Sequence, residues 1–387
     1  MVEPPTVPSV TQAPGALDGI RVADFSRVLA GPVATMVLGD LGADVVKIER
    51  PGTGDDTRGW GPPWSPDGDA SYYLGVNRNK RSVALDLKDP ADLAIARTIA
   101  LRSDVVIENF RPGVMARAGL DHAALAAERP ELVSCRIAGI GRGDVAGYDF
   151  LAQAMGGLMS ITGDADGEPR KIGVALVDVM TGLHAAIGIL AALRHRDRTG
   201  EGQLVEVDLL STTLFALANQ ASNWLTAGMV AGRMGNRHPS IAPYETLRAA
   251  DGPFVVAVGN DEQFATFCAV LGIPALAADD RFTTNAARVT NREALVTALE
   301  RALSTTSTAV WIDRLGAAGI PCGMVNQVDQ AFELARAVGL EAVASFPDVG
   351  IDTVANPLHL SGTPVTYRRP PPSLGEHDTE VRAEAEG

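Results

Sequence analysis

Asp178 is the residue whose setting most invites covalent chemistry. It lies where the polar stretch GEPRKIG passes through VALV into the apolar run VMTGLHAAIGILAALRH. An aspartate there can cap the start of a helix by accepting from first-turn amides. The same place suits a nucleophilic carboxylate, because the positive helix end favours the ionised form and nearby amides could hold a developing oxyanion. Spacing alone leaves both readings open. Arg50, closing DVVKIER, and Arg117, beyond Asn109-Phe110, fall after strands, where a guanidinium can make forked, charge-assisted bonds to phosphate. Each is equally compatible with a solvated surface.

Other chemistries lack their residues. There is no G-x-S-x-G elbow, and GLMSITG around Ser160 has the wrong glycine spacing for one. His122, His184, His195, His238, His359 and His377 show no ligand spacing, so no metal is expected. Cys135, Cys268 and Cys322 are odd in number and far apart, which argues against a disulfide framework or a C-x-x-C knuckle and fits a reducing cytoplasm. Gly139, Gly141 and Gly143 in RIAGIGRG read as G-x-G-x-G after a late strand, a turn and not a dinucleotide loop. The net charge of −14, with both signs interspersed, makes nucleic acid an unsuitable partner and requires local cations for any anionic ligand.

The elements that would position these residues follow from periodicity. Residues 21–25 (RVADF) and 44–49 (DVVKIE) read as strands around a helix over 30–41. SVALDL, DVVIEN and LVSCRI repeat the pattern, with a helix from residue 91 between the first two. Alternation of this kind predicts an α/β fold, a doubly wound Rossmann-like parallel sheet with ligands at the carboxyl ends of its strands. Residues 176–193 approach membrane-spanning length but contain Asp178 and His184, so a core helix is expected and no membrane partner.

Residues 209–229 read as one long helix ending at a Gly/Arg/Asn/Pro-rich boundary. Beyond it, 244–248 and 254–258 form a hairpin around Asp251-Gly252, with helices near 261–271, 292–303 and 309–318, a smaller α+β domain. From about residue 340 the chain is Pro-rich and strand-like and ends in a frayed acidic tail. The domain plan is a disordered leader over 1–16, without a secretory signal's pattern, then a large domain over 17–230, a small domain over 231–338 and a C-terminal segment over 339–387.

The runs ALDGIRVADFSRVLAGPVATMVLGDLGADVVKIERPGTGDDTRGWGPPW, SYYLGVNRNKRSVALDLK, DVVIENFRPGVMARAGL, GVALVDVMTGLHAAIGILAAL and PSLGEHD closely resemble class III CoA-transferases of the CaiB/BaiF type, relatives of formyl-CoA transferase and carnitine CoA-transferase. GDDTRGWGPPW, SIAPYETLRAADGPFVVAVGNDEQFATFC and TTNAARVTNREAL are most similar to the succinyl-CoA:glutarate branch. The resemblance implies transfer of CoA from an acyl-CoA to a free, dicarboxylic acid through an aspartyl mixed anhydride and an enzyme thioester. CoA enters as a substrate, with no tightly bound cofactor. The family's nucleophile falls on Asp178. Its CoA contacts fall on Val28, Arg50, Leu85, Leu87, Asn109, Phe110 and Arg117, and its reacting centre is lined at Leu29, Ala30, Gly31, Tyr72, Tyr148 and Asp149. It further implies an interlocked homodimer, with the C-terminal segment returning to the large domain.

Two departures stand out. GIGRGDVAGYDF is shorter than the usual loop before G-Y-D, and the glycine-rich flap of formyl-CoA transferase is missing, so oxalate or formyl specificity does not carry over. An α-methylacyl-CoA racemase is the rival on the same fold. It would need a base where this chain has Tyr148, and a tyrosine of ordinary pKa near 10 is a poor base at neutral pH. A CoA-binding protein without catalysis would keep Arg50 and Arg117 and have no need of Asp178.

Overall fold

The computed structural model describes residues 14–66, 68–141, 145 and 147–387. Most of the expected leader, residues 1–13, and Gly143 of the glycine turn lie outside the described residues. Within the described part of the expected leader, the Gly15 carbonyl accepts from the Asp18 amide at 3.1 Å, and a Cβ on Gly15 would stand 2.7 Å from the Leu41 carbonyl. The chain forms two compact units. One contains the described residues up to Leu158, Ile172–Ser222 and Glu341–Gly387, and the other Met159–Lys171 and Asn223–Leu340.

The first unit is built on six parallel strands, β1 (Arg21–Asp24), β2 (Asp44–Glu49), β3 (Lys80–Ala84), β4 (Val105–Glu108), β5 (Val133–Ala138) and β6 (Leu204–Asp208), in the order β3-β2-β1-β4-β5-β6. The order reverses between β1 and β4. That is the topological switch point, where the loops leaving neighbouring strands diverge and open a crevice. β6 had no counterpart in the sequence reading, because LVEVD alternates acidic and apolar residues and is mostly half-buried. β3 begins two residues earlier than the apolar pattern, at Lys80 and Arg81, whose charges are buried against Asp24 and Asp44.

Helices cover both faces. On one, helix Ala30–Asp40 packs against helix Leu176–Thr199, sharing a core of Ala34, Leu38, Ala185 and Ile189. Helix 176–199 is long and apolar enough to cross a membrane, but half of its most apolar window is buried within the fold, as expected of a core helix. On the other face, helix Pro90–Arg102 starts where Asp89 accepts from the amides of Ala91 and Asp92 and Pro90 supplies the first helical position.

Two expectations need correction here. The helix drawn over 209–229 is two, Leu209–Ala216 and Ala218–Ala227, because Ala218 adopts φ +44°. A left-handed residue ends a helix, and alanine gives no sequence sign of it. The acidic tail is also not frayed. Residues Asp378–Glu386 form a helix with Val381 buried, Glu380 and Glu384 paired with Arg81, and Arg382 paired with Asp92. Acids one helical turn apart face one buried guanidinium, which composition alone could not reveal.

The second unit holds an antiparallel hairpin of β7 (Tyr244–Arg248) and β8 (Pro253–Ala257), joined by β9 (Cys322–Gly323). Helices Asp261–Val270, Arg292–Leu303 and Thr308–Ala317 surround a core of Phe254, Phe264, Phe267, Leu299 and Trp311. The C-terminal part of the first unit contributes a second hairpin, β10 (Val343–Phe346) with β11 (Ile351–Val354).

Candidate active site

The switch point is tied together by one side chain. Asn109, just after β4, accepts from the Arg27 amide at 2.9 Å and donates to the Arg27 carbonyl at 2.7 Å. Arg27 belongs to the loop leaving β1, so the two diverging loops are fixed as one piece. Ser26 in the same loop is held by Asp24 through its amide at 2.9 Å. Val28 follows with φ +70°. A β-branched residue there is an outlier and costs on the order of 1–3 kcal/mol. Its amide donates to both oxygens of Asp55, at 3.2 and 3.3 Å.

Helix 30–40 begins directly afterwards, with Leu29 as a cap that supplies no side-chain oxygen. Among the described residues the amides of Leu29, Ala30 and Gly31 have no acceptor. Unpaired amides at a helix start attract negative charge. Gly31 is dictated by crowding, since a Cβ there would lie 2.2 Å from the Ser26 Cβ.

Asp178 stands in the first turn of helix 176–199, whose cap position is Ala175. The N-cap reading is therefore corrected: another carboxylate does that work. Asp149 opens the short helix Asp149–Met155, and its Oδ1 accepts from the amides of Val177 and Asp178 at 2.8 and 3.2 Å. Gln153 donates to the other oxygen of Asp149 and accepts from the Ile172 amide at 2.9 Å. The sequence left Asp178 ionised by the helix end. Instead, burial first and the neighbouring Asp149 charge second push its carboxyl up to about 7. The favourable amides are already bonded to Asp149. Tyr72 is raised as well, by burial and by Asp178 and Asp149, which keeps a phenol beside the two carboxylates.

Gly182, one turn beyond Asp178, lets the two helices touch. A Cβ there would meet the Ala30 carbonyl at 2.4 Å. The start of helix 30–40 is thus pressed against the segment that carries Asp178.

Two clefts open at the carboxyl ends of the strands. One, of about 1050 Å³, is lined by Val28, Leu29, Ala30, Asn109, Phe110, Tyr148 and Asp178. The other, of about 1260 Å³, is lined by Arg50, Leu85, Leu87, Lys88, Phe110 and Arg117. Arg27 and Phe110 line both, the guanidinium 5.3 Å from the ring centroid. The Arg27 Nε is buried with no acceptor among the described residues, a free donor where the clefts meet. Of the residues singled out in the sequence, Gly31, Tyr72 and Asp149 do not line either cleft. Gly31 and Asp149 act on the residues that do. The loop before Tyr148 is only partly described, residues 142–144 and 146 lying outside the described set.

The sequence reading did not single out Arg27, Lys88, Asp55, Lys47 or Gly182. Arg27 follows a strand as Arg50 does, and the same argument applied to the first βα turn would have found it. Lys47 sits amid apolar residues of DVVKIE, a sign that a buried partner must exist.

Two clefts that share Arg27 and Phe110, one holding a buried carboxylate beside unpaired amides and the other presenting Arg50, Lys88 and Arg117 over leucine walls, fit an extended anionic ligand with a reactive end. The model of CoA-transferase family III matches residues 17–378. The chain belongs to that family. As a family III CoA-transferase it is 44% identical to succinate–glutarate CoA-transferase of Agrobacterium fabrum, over 96% of both chains. It is 40% identical to the human succinyl-CoA:glutarate CoA-transferase, over 95% of this chain and 85% of that one. It is also 41% identical to an acetyl-CoA:oxalate CoA-transferase of Acetobacter aceti, over 96% of both. Among solved structures, a CaiB/BaiF family protein of Brucella suis superposes with a TM-score of 0.86 at 41% identity, covering 97% of this chain and all of that one. The CoA-transferase thus shares its parallel-sheet fold with that family.

Proposed function

We propose that this CoA-transferase moves CoA from succinyl-CoA to a dicarboxylic acid such as glutarate, with Asp178 as the residue that becomes acylated. The observation carrying the reading is the meeting of the Asp178 carboxyl with Leu29 and Ala30, whose amides are unpaired among the described residues, in one cleft, with a second cleft bearing Arg50, Lys88 and Arg117 adjoining it. The names of the most similar relatives support donor and acceptor.

CoA binds with its phosphates toward Arg50, Lys88 and Arg117 and its pantetheine arm past Leu85, Leu87 and Phe110. Its thioester then lies at Asp178. The ionised carboxylate attacks the thioester carbonyl, a C–O bond forms as the C–S bond breaks, and CoA thiolate and an aspartyl succinyl anhydride result. The thiolate attacks the aspartyl carbonyl, releasing succinate and leaving an Asp178 thioester. Glutarate attacks that carbonyl to give a second anhydride, and the returning thiolate takes the glutaryl group and frees Asp178. Each tetrahedral oxyanion is held by helix-start amides near Ala30 and Gly31, where one donor is worth about 3–4 kcal/mol.

A homodimer and a cytoplasmic setting complete the proposal. Phe150, Met155, Leu183, Ile187 and Phe215 are exposed on three adjoining helices, and a patch of that kind favours cover by a second subunit. The test of the chemistry is mass spectrometry of the protein during turnover. A succinyl or CoA adduct on Asp178, absent from folded Asp178→Ala, supports the reading. An unmodified Asp178 with label on another residue, or normal turnover by Asp178→Ala, ends it.

A further inference from the structure

The loop bearing Val28 rests on a buried ion pair to which the mechanism gives no task. Lys47 Nζ donates to Asp55 Oδ2 and to the Ser26 carbonyl, both at 2.9 Å, and neither charged side chain is exposed. Asp55 is fixed in turn by the Thr57 amide at 3.0 Å and hydroxyl at 2.8 Å. The pair therefore grips the backbone immediately before the strained torsion, at the carbonyl of Ser26 and at the amide of Val28 itself, the two groups that flank Arg27. No local preference of valine favours a positive φ. A buried pair of this kind is on average no more stabilising than apolar residues of the same volume, so its retention here needs another account.

We propose that Lys47 and Asp55 are positioning residues for the transfer reaction: they lock Val28 in its left-handed conformation and so set where the Leu29–Gly31 amides stand relative to Asp178. This inference rests on the reading of Asp178 as the acylated residue. Released from Asp55, Val28 relaxes to an ordinary backbone conformation and carries the start of helix 30–40 off its alignment.

The experiment is steady-state kinetics with succinyl-CoA and glutarate on Asp55→Asn, Val28→Gly and the double variant. The expected result is a fall in kcat of about 10²-fold for Asp55→Asn, with KM for succinyl-CoA moving less than about threefold. In the Val28→Gly background the same change should cost at least about tenfold less, because glycine holds a positive φ unaided. Equal losses in both backgrounds, or a loss confined to KM, would overturn the proposal. Asp55→Asn leaves Lys47 without its counter-charge, so Lys47→Met/Asp55→Leu, which removes both charges, is taken through the same cycle with the same expected ratio. The adduct measurement separates the two failures. A wild-type protein with no aspartyl adduct removes the Asp178 reading and this inference with it, whereas an adduct combined with an additive cycle removes only the positioning role.

Discussion

Replacing Asp178 with asparagine is expected to stabilise the protein at pH 8 while abolishing transfer. The folded chain holds the Asp178 proton up to about pH 7, against an ordinary value of 3.8. Between those values the folded state binds more protons than the unfolded chain, so stability drains away as pH rises and is lowest once Asp178 is ionised. The gap from 3.8 to about 7 corresponds to roughly 4 kcal/mol at full ionisation, taking about 1.4 kcal/mol per pH unit. Below pH 4 the effect vanishes, and at pH 5 well under half of it has developed.

Asparagine keeps the shape and has no charge to bury, so its advantage over wild type should grow by about 2–3 kcal/mol between pH 5 and pH 8. Urea denaturation of both proteins at four pH values measures this directly. Thermal melting should show the same trend as a widening gap of roughly 3–5 °C. A gap that does not change with pH would refute the reasoning, since the buried charge would then not be what the substitution removes. So would a wild-type protein that is the more stable of the two at pH 8.

Further outcomes follow from the same geometry. Because the nucleophile must be ionised, kcat/KM should rise with pH through about 7, and Asp149→Asn, which removes the second cause of the raised value, should move that limb to lower pH. Arg50→Ala and Arg117→Ala are each expected to raise KM for succinyl-CoA about 10–100-fold with kcat nearly unchanged, because they act on a part of the ligand that does not react. Gly182→Ala should destabilise by about 1–3 kcal/mol and lower kcat, as its methyl would force helix 176–199 away from the Ala30 carbonyl.

Much of the frame was legible because β-branched runs alternating with helical periods admit few topologies, and the parallel sheet with its switch point is the common one. The long motifs led to Asp178, Arg50 and Arg117. What stayed hidden depended on partners remote in sequence. Nothing near Asp149 says that it caps a helix 28 residues later, and nothing in FSRVLAG marks Val28 as left-handed. The charges of Lys80 and Arg81 seemed to delay β3 until their partners on neighbouring elements were known. Ala218 broke a helix without a glycine or proline to announce it.

Helix 378–386 has a bearing on how the protein is made. Arg21, at the start of β1, and Arg81, in β3, both bind Glu384, so side chains of the earliest strands gain this partner only from a residue translated more than 300 positions later. The second unit lies mostly in a continuous stretch, Asn223–Leu340, and leaves the ribosome while the sheet is still missing its closing helix. A chain released just short of Asp378 would expose Arg81, the edge strand β3 and the cleft beneath Val381, and would be a substrate for quality-control proteases before it could ever meet an acyl-CoA.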